Sequence, residues 1–335
     1  MTQPDLAFEE HSGSEPAQPL ISVVLPTHNE AGNVGHMIEE VMRILKECTV
    51  RAEVIVVDDG SADRTFEEAQ RKCDDDPRVK AIRFSRNFGK EAALLAGLSA
   101  ARGEAVITMD ADFQHPPSVI PDLLEQWRKG AKVVHGVKRS REIDSWIVKV
   151  RAAAFNSLMA RLTGVDMRNS SDFKLLDRVA VDAIVRTLPE HSRFYRGLAS
   201  WIGYPAATVP FDVAVREGGE ASMSLRRVLS LAVGAVVAFT TAPLRIVTVL
   251  GVLTLCFGFV VGTEALISWW RGVAVSGFVT LLITVLIVGS SIMISLGIIG
   301  EYIAKIYEET KERPKYLVQN TKGFDASSEF QKRIH

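Results

Sequence analysis

Short apolar runs alternate with segments of helical period through the first part of the chain. Strands are predicted at residues 21–25, 53–57, 79–84 and 105–109, where β-branched runs end at polar or turn residues. The helical period predicts helices between them at residues 34–47, 63–73 and 90–101. The remaining elements are predicted at residues 132–137, 146–162, 172–176, 179–187 and 209–215. Strands that alternate with helices in this way favour an α/β fold with a mostly parallel sheet.

The pattern changes to a long apolar segment near the end of the chain. Between Leu229 and Gly300 the only charged residues are Arg245, Glu264 and Arg271. Two runs, at about 246–270 and 273–300, are long enough to cross the roughly 30 Å hydrocarbon layer of a membrane. The alternative is a helical hairpin buried in a soluble protein, which the scarcity of charge over such lengths disfavours.

Basic residues flank the two runs on one side of the predicted hairpin. They are Arg226, Arg227 and Arg245 before the first run and Lys305, Lys311, Arg313 and Lys315 after the second. The connecting loop keeps only Arg271, so the positive-inside rule predicts both termini in the cytoplasm. The protein is therefore expected to be a multi-pass protein of the inner (cytoplasmic) membrane. Small residues along the second run would allow association of helices, and hence a homo-oligomer.

Length and charge divide the chain and exclude one class of partner. The 335 residues carry 39 basic and 40 acidic side chains, a balance that argues against a nucleic-acid partner. We predict a disordered acidic leader at 1–19, a catalytic domain at 20–224 and an interfacial amphipathic helix at 225–242. Two transmembrane helices at 243–303 and a cytoplasmic tail at 304–335 complete the division.

Polar residues follow each strand of the first half, where a parallel sheet binds its ligands. Asp110, Asp112 and Gln114 stand at alternate positions after the fourth strand, so their side chains point to one side of an extended chain. Carboxylate and amide oxygens in this arrangement suit Mg²⁺ or Mn²⁺ on a diphosphate. For an isolated motif of this length, a solvated acidic turn is the simpler reading. Ser61 or Asp63 is expected to cap the helix that follows Asp58 and Asp59.

The loops together resemble a known enzyme family. The segments that carry the resemblance are Leu25–Glu30, Val57–Ser61, Ser85–Glu91, Met109–Pro117, Ser171–Arg178, Arg193–Leu198 and Pro243–Arg245. Their order and spacing resemble the family 2 glycosyltransferases of the dolichol-phosphate mannose synthase and bactoprenol glucosyltransferase type. The resemblance covers about residues 20 to 318.

The resemblance implies a GT-A fold, a nucleotide-sugar donor and a polyprenyl phosphate acceptor in the membrane, with inversion at the anomeric carbon. It implies that the nucleotide sugar is bound by Pro26, His28, Glu30, Asp58 or Asp59, Asp110 and Ala111. Asp110, Asp112 and Gln114 would hold Mg²⁺ or Mn²⁺, and Asp112 and Asp172 would be the catalytic residues. Asp172 matches the acidic residue proposed as the base in this family. Phosphate of the acceptor or donor would be met by Arg141, Arg216, Lys138 and Arg226.

Three positions depart from the family pattern. His28 replaces the usual Tyr, Lys138 replaces an arginine, and Ser222 replaces a lysine. These changes affect single contacts rather than the reaction class. Because a phosphate monoester is already ionised near neutral pH, Asp172 has two open roles, as a base or as a group that positions the acceptor.

Two other functions are weighed against this one. A processive polysaccharide synthase shares the fold and acidic motifs, but its Q-x-x-R-W motif is missing where this chain reads Arg193-Phe194-Tyr195-Arg196-Gly197. A non-catalytic membrane scaffold that binds nucleotide sugar would not need the full set of loops. Among donors, a UDP-sugar is favoured over a GDP-sugar.

Overall fold

The structure is a computed structural model that describes residues 18–139, 171–188, 195–212, 242–272, 277–311 and 313–324. The first half of the domain alternates strands and helices as predicted. Its elements are β1 Leu20–Thr27, α1 Val34–Glu47, β2 Arg51–Asp58, α2 Thr65–Asp75, β3 Val79–Phe84, α3 Lys90–Ala100 and β4 Ala105–Thr108.

The second half adds shorter elements. They are a 3₁₀ turn at Pro117–Val119, α4 Ile120–Arg128, β5 Val133–Lys138, β6 Lys174–Asp177, α5 Arg178–Asp182, a π-helical turn at Ala183–Thr187, α6 Tyr195–Trp201 and β7 Ala206–Phe211. The helix predicted at 179–187 is thus α5 followed by a wider turn. The helix predicted at 146–162 lies outside the described residues.

The described strands form one sheet in the order β7-β5-β6-β4-β1-β2-β3-β8, where β8 is Val318–Lys322. β1 pairs in parallel with β2 and β4, and β2 pairs in parallel with β3. β6 is antiparallel to both β4 and β5, and β8 is antiparallel to β3. A parallel centre with antiparallel strands beyond it confirms the predicted α/β class.

Both faces of the central strands are buried beneath helices, which explains their continuous apolar sequences. On one face, α1 packs through Val34, Met37, Ile38 and Val41, a spacing that places them on one side of a helix. On the other face, α3 packs against β1 and β2 and is apolar almost all round. This fixes the carboxyl ends of β1 to β4 along one edge of the sheet.

Two long apolar helices follow the sheet domain. They are α7 Ala242–Trp270 and α8 Phe278–Thr310, and they contact each other, with Thr254 Oγ1 3.2 Å from Ser291 Oγ. In the most apolar 18-residue stretch of each helix, no residue is buried. Phe259 and Trp270 are 75% and 87% exposed. Their exposure contradicts the alternative of a hairpin buried in a soluble core. The leader up to residue 17 and the predicted interfacial helix, apart from Ala242, lie outside the described residues.

The predicted cytoplasmic tail, residues 304–335, contains regular structure that the sequence pattern does not indicate. α8 continues to Thr310, and β8 joins the sheet of the catalytic domain. The polar sequence of β8 gives little strand signal, and pairing with the edge of β3 determines its conformation.

Candidate active site

Four loops meet at the carboxyl edge of the parallel strands and enclose a crevice of about 290 Å³. β2 and β3 lie on one side of β1, and β4 lies on the other. β1 is therefore at the topological switch point of the sheet, where sheets of this class bind ligands. The crevice is lined by Pro26, Thr27, His28, Glu30, Asp59, Asn87, Gly89, Lys90, Ala93, Asp110, Ala111 and Asp112. All the residues predicted to bind the nucleotide sugar are among these except Asp58.

The loop after β1 is fastened to the loop after β2. Asn29 has a φ of 57°, and its backbone N–H donates to Ser61 Oγ at 2.9 Å. Its side-chain Oδ1 accepts from the N–H of Ala62 at 3.0 Å, and the N–H of Glu30 donates to Thr65 Oγ1 at 2.8 Å. These bonds fix the position of Glu30 before any ligand binds.

The two carboxylates that end β2 have different surroundings. Asp58 is fully buried, accepts from the N–H of Ser61 at 3.1 Å and lies 3.4 Å from Arg83 Nε. Asp58 is not among the residues that line the crevice, whereas Asp59 is, and a contact of either with a nucleotide stays a prediction. The Asp59 carboxylate accepts from the N–H groups of Phe88 at 2.6 Å and Gly89 at 2.8 Å. Burial raises the pKa of Asp59, although these two donors act to lower it.

Neither Ser61 nor Asp63 is the N-cap of the helix that follows this turn. The N-cap of α2 is Arg64, whose side chain makes no capping hydrogen bond, so the predicted cap is wrong by one position. Asp63 precedes it, and its Oδ1 accepts from the N–H of Thr65, the first residue of α2, at 3.0 Å.

His28 forms part of the rim of the crevice. Its Nδ1 lies 2.9 Å from the carbonyl oxygen of Asp59, so Nδ1–H donates there and Nε2 is left as an acceptor. Nε2 lies 3.3 Å from Asn87 Nδ2 and 3.2 Å from Asn29 Nδ2. Contacts at both ring nitrogens hold the imidazole in a fixed orientation over the crevice.

A buried histidine, His115, hydrogen-bonds to the backbone of the acidic turn after β4. The backbone N–H of Asp110 donates to His115 Nδ1 at 3.0 Å, and the His115 ring stacks on Phe173 with centroids 5.1 Å apart. Because a backbone N–H can only donate, Nδ1 accepts this bond, and burial lowers the pKa of His115 in the same sense. Asp112 Oδ1 accepts from the N–H of Gln114 at 3.1 Å, which closes the turn.

Lys90 joins two of the predicted site residues. Its ammonium Nζ lies 2.6 Å from Asp110 Oδ1 and 2.7 Å from Asp172 Oδ2. Burial acts to lower the pKa of Lys90, but the two carboxylates outweigh it and raise the pKa, so the ammonium stays charged. Lys90 thus bridges Asp172, which precedes β6, and Asp110 of the acidic turn after β4.

Lys90 is not among the site residues predicted above, although the sequence carries a signal for a role. Lys90 is the first residue of α3, following Gly89, whose φ is 96°. The positive end of the helix dipole disfavours a cation there, so an opposing carboxylate is expected nearby.

Asp172 is itself firmly positioned. Its side chain is 6% exposed, and its carbonyl oxygen accepts from Thr108 Oγ1 at 2.6 Å. The Tyr195 hydroxyl lies 2.9 Å from the same Oγ1, and the Tyr195 N–H donates to Glu91 Oε2 at 2.8 Å. Through these bonds β4, α3 and α6 together determine where the Asp172 carboxylate points.

The acidic turn suits a divalent ion that takes further ligands from a substrate. Asp112 lines the crevice and forms no ion pair within the described ranges. Across those ranges, no group of three His, Cys, Asp or Glu side chains is placed to hold a metal. Asp110 and Asp112 both line the crevice and could leave several positions of a Mg²⁺ or Mn²⁺ ion for phosphate oxygens. Gln114 is not among the lining residues, and its part as a third ligand stays a prediction.

The predicted basic residues are only partly described. Lys138 ends β5 and is exposed, and the neighbouring Arg139 pairs with Asp212 at 3.1 Å. Arg141, Arg216, Ser222 and Arg226 lie outside the described residues, so their predicted contacts with phosphate stay predictions.

Comparison with known proteins assigns the chain to a family. The sequence model of glycosyl transferase family 2 matches residues 22–187. An uncharacterized glycosyltransferase of Synechocystis is 36% identical over 307 residues, which are 91% of this chain and 96% of that protein. The bactoprenol glucosyl transferase of Shigella phage SfV is 34% identical over 304 residues, 90% of this chain and 99% of that protein.

A solved glucosyl-3-phosphoglycerate synthase of Mycobacterium tuberculosis, in complex with Mn²⁺, UDP and phosphoglyceric acid, is 20% identical to this chain. The two superpose with a TM-score of 0.49 over 65% of this chain and 76% of that one. The sheet with its carboxyl-edge crevice, together with the family match, is the GT-A arrangement that the resemblance implied. From the family match and the full-length relatives, the chain belongs to glycosyl transferase family 2 and is a glycosyltransferase.

Proposed function

We propose that this enzyme transfers a sugar from a nucleoside diphosphate sugar to a polyprenyl phosphate, with inversion at the anomeric carbon. The observation that carries the proposal is the arrangement of Lys90 between Asp110 and Asp172 at the crevice, in a chain with two exposed apolar helices. A bactoprenol glucosyl transferase and a protein named as a homolog of one, each matched over 99% of its length, support a lipid acceptor.

In the proposed reaction, a phosphate oxygen of the acceptor attacks the anomeric carbon while the bond from that carbon to the donor diphosphate breaks. The nucleoside diphosphate leaves with the electron pair, so negative charge grows on its terminal phosphate. A bound Mg²⁺ or Mn²⁺ at Asp110, Asp112 and Gln114 would offset that charge. The Lys90 ammonium lines the same wall and adds a second positive charge that needs no rearrangement.

Asp172 has a positioning role in this proposal. A phosphate monoester has a second pKa of about 6 and is largely ionised at neutral pH, so its oxygen attacks without a general base. Asp172 instead holds Lys90 in place, and its charge directs the ammonium toward the crevice rather than the solvent. His28, Glu30 and Asp59 would contact the nucleotide, with UDP favoured over GDP.

The apolar helices give the proposal its membrane context. A polyprenyl chain does not leave the bilayer, so the crevice must work at the level of the headgroups. We propose a multi-pass protein of the inner membrane whose catalytic domain is cytoplasmic, in line with the basic residues on one side of the hairpin. Arg141, Arg216, Lys138 and Arg226 are the proposed contacts with phosphate.

The test is transfer of labelled sugar into lipid. Membranes that contain the protein are incubated with a panel of labelled nucleotide sugars, and the label in the organic-solvent phase is counted. We expect one UDP-sugar to label lipid in the wild type. Asp112→Ala should abolish transfer, whereas Asp122→Ala, an exposed aspartate on α4 away from the crevice, should transfer normally.

Three results would contradict parts of the proposal. Transfer by Asp112→Ala at the wild-type rate would refute the metal assignment. No labelled lipid from any donor would refute the acceptor and favour the scaffold alternative. Release of a water-soluble polymer would favour the processive synthase.

A further inference from the structure

The segment that follows the second apolar helix packs against the loop that carries Asn87, Gly89 and Lys90. We infer that this segment, residues 313–324, holds the donor side of the crevice in its working conformation, and that Tyr316 is the positioning residue. The inference rests on the proposed function, because it treats the crevice as the donor site.

The first observation is the backbone pairing between β8 and β3. Val318 pairs with Phe84, and the ladder changes register between Arg83 and Phe84. Beyond the ladder, the N–H of Ser85 donates to the carbonyl oxygen of Leu317 at 2.9 Å. The segment is therefore bonded to the first residue of the crevice loop, past the end of β3.

The second observation is a sequence of ring contacts from Tyr316 into that loop. The Tyr316 ring, 8% exposed, stacks on Phe84 with centroids 4.9 Å apart and planes at 12°. Phe84 is fully buried and makes a T-shaped contact with the Phe88 ring, with centroids 5.8 Å apart and planes at 89°. Tyr316 thus supports one side of Phe84 while the crevice loop rests on another.

The third observation concerns what Phe88 holds. Its N–H and that of Gly89 donate to the two oxygens of Asp59, and Lys90 follows as the first residue of α3. A shift of the Phe88 ring would move these donors and change the start of α3. Since Lys90 contacts both Asp110 and Asp172, the effect would reach the acidic turn.

The segment is also short enough to act as a tether. α8 ends at Thr310, and the six residues to Tyr316 span at most about 20 Å in an extended chain. A crevice loop fastened to Tyr316 is therefore held close to the end of a helix that we propose crosses the membrane. The same residues would keep the donor loop ordered and near the lipid.

The test compares loss of two rings from one segment. Tyr316→Ala removes the stack beside the crevice loop. Phe324→Ala removes a partly buried ring at the other end of β8, near Lys80. Tyr316→Phe keeps the stacked ring and serves as the conservative variant. Tyr316→Leu, which retains apolar volume without the stack, replaces the alanine variant if that protein does not accumulate.

The first readout is hydrogen exchange of the amides of residues 85–90 in full-length protein in detergent, without ligand. We expect Tyr316→Ala to speed this exchange on the order of 2- to 10-fold, because the loss of one aromatic pair shifts the opening equilibrium of the loop by about that factor. Phe324→Ala and Tyr316→Phe should leave it unchanged. Unchanged exchange in Tyr316→Ala, or equal acceleration by both alanine variants, would overturn the inference.

The second readout is the KM for the donor found in the panel above. Tyr316→Ala should raise this KM by a similar factor and leave the KM for the lipid unchanged, whereas Phe324→Ala should change neither. If the wild type transfers no sugar, the proposed function fails, and the exchange comparison still decides the role of Tyr316.

Discussion

Replacing Lys90 tests the central feature of the site. Lys90→Met keeps the length and apolar stem of the side chain but removes the charge that lies 2.6 Å from Asp110 and 2.7 Å from Asp172. The two carboxylates then lose the cation between them, and the crevice loses positive charge where the leaving diphosphate is expected.

The size of the effect follows from burial. Removing one preorganised group that stabilises the charge of a transition state in a dry site costs about 2.7–4 kcal/mol. Asp172 is 6% exposed, but the Lys90 side chain is 40% exposed, so water replaces part of the lost interaction. We therefore expect a loss of about 2 kcal/mol of transition-state stabilisation, which is roughly 30-fold in kcat/KM.

The assay is the initial rate of labelled sugar transfer to polyprenyl phosphate in membranes. Lys129→Met is the matched control, because Lys129 pairs with Glu125 on the exposed side of α4 and its side chain is 60% exposed. The control should retain wild-type kcat/KM. A Lys90→Met enzyme within about twofold of wild type would refute the electrostatic role given to Lys90, since the expected loss is roughly 30-fold.

Three further changes test the surroundings of the site. Gly60→Ala should lower the free energy of unfolding by at least about 2 kcal/mol, because Gly60 has a φ of 64° and an added Cβ would lie 2.8 Å from Arg86 Cα; denaturant titration measures it. Burial, helped by Lys174, lowers the pKa of His135 to about 4 from 6.5, so the unfolded state binds the proton first and stability falls as pH drops from about 6.5 to about 4. His135→Asn should flatten this pH dependence by about 3 kcal/mol, and an unchanged slope would contradict the assignment. Asp177→Ala removes the acceptor of three hydrogen bonds, one of them at the start of α5. It should lower the free energy of unfolding by about 3 kcal/mol, which thermal unfolding detects as a lower melting midpoint.

The sequence predicted the alternating half of the domain because the local pattern and the tertiary environment agree there. The apolar runs of β1 to β4 are buried on both faces, so their composition alone marks them. The acidic turn was also predictable, because Asp110 and Asp112 directly follow a buried strand. In each case the determining interactions lie close together in the chain.

The features that sequence reasoning missed depend on contacts between distant residues. β8 is polar and becomes a strand only because β3 offers an unpaired edge. Asp58 and Asp59 are adjacent and chemically identical, and only the fold shows that Asp59 reaches the crevice while Asp58 is fully buried. The position of Lys90 at the start of a helix is visible in the sequence, but its pairing with Asp172, more than eighty residues away, is visible only in the fold.

The place of β8 in the chain also bears on how the protein is made. β3 leaves the ribosome early, whereas its partner strand comes after both apolar helices. At about 5–20 residues per second, the edge of β3 waits on the order of 10–50 s for the residues that cover it. During that interval the newly made domain exposes an unpaired strand, which other chains can join. Insertion of the hairpin into the membrane would therefore come before the sheet is complete, and a soluble fragment that stops before α7 would keep an open, aggregation-prone edge.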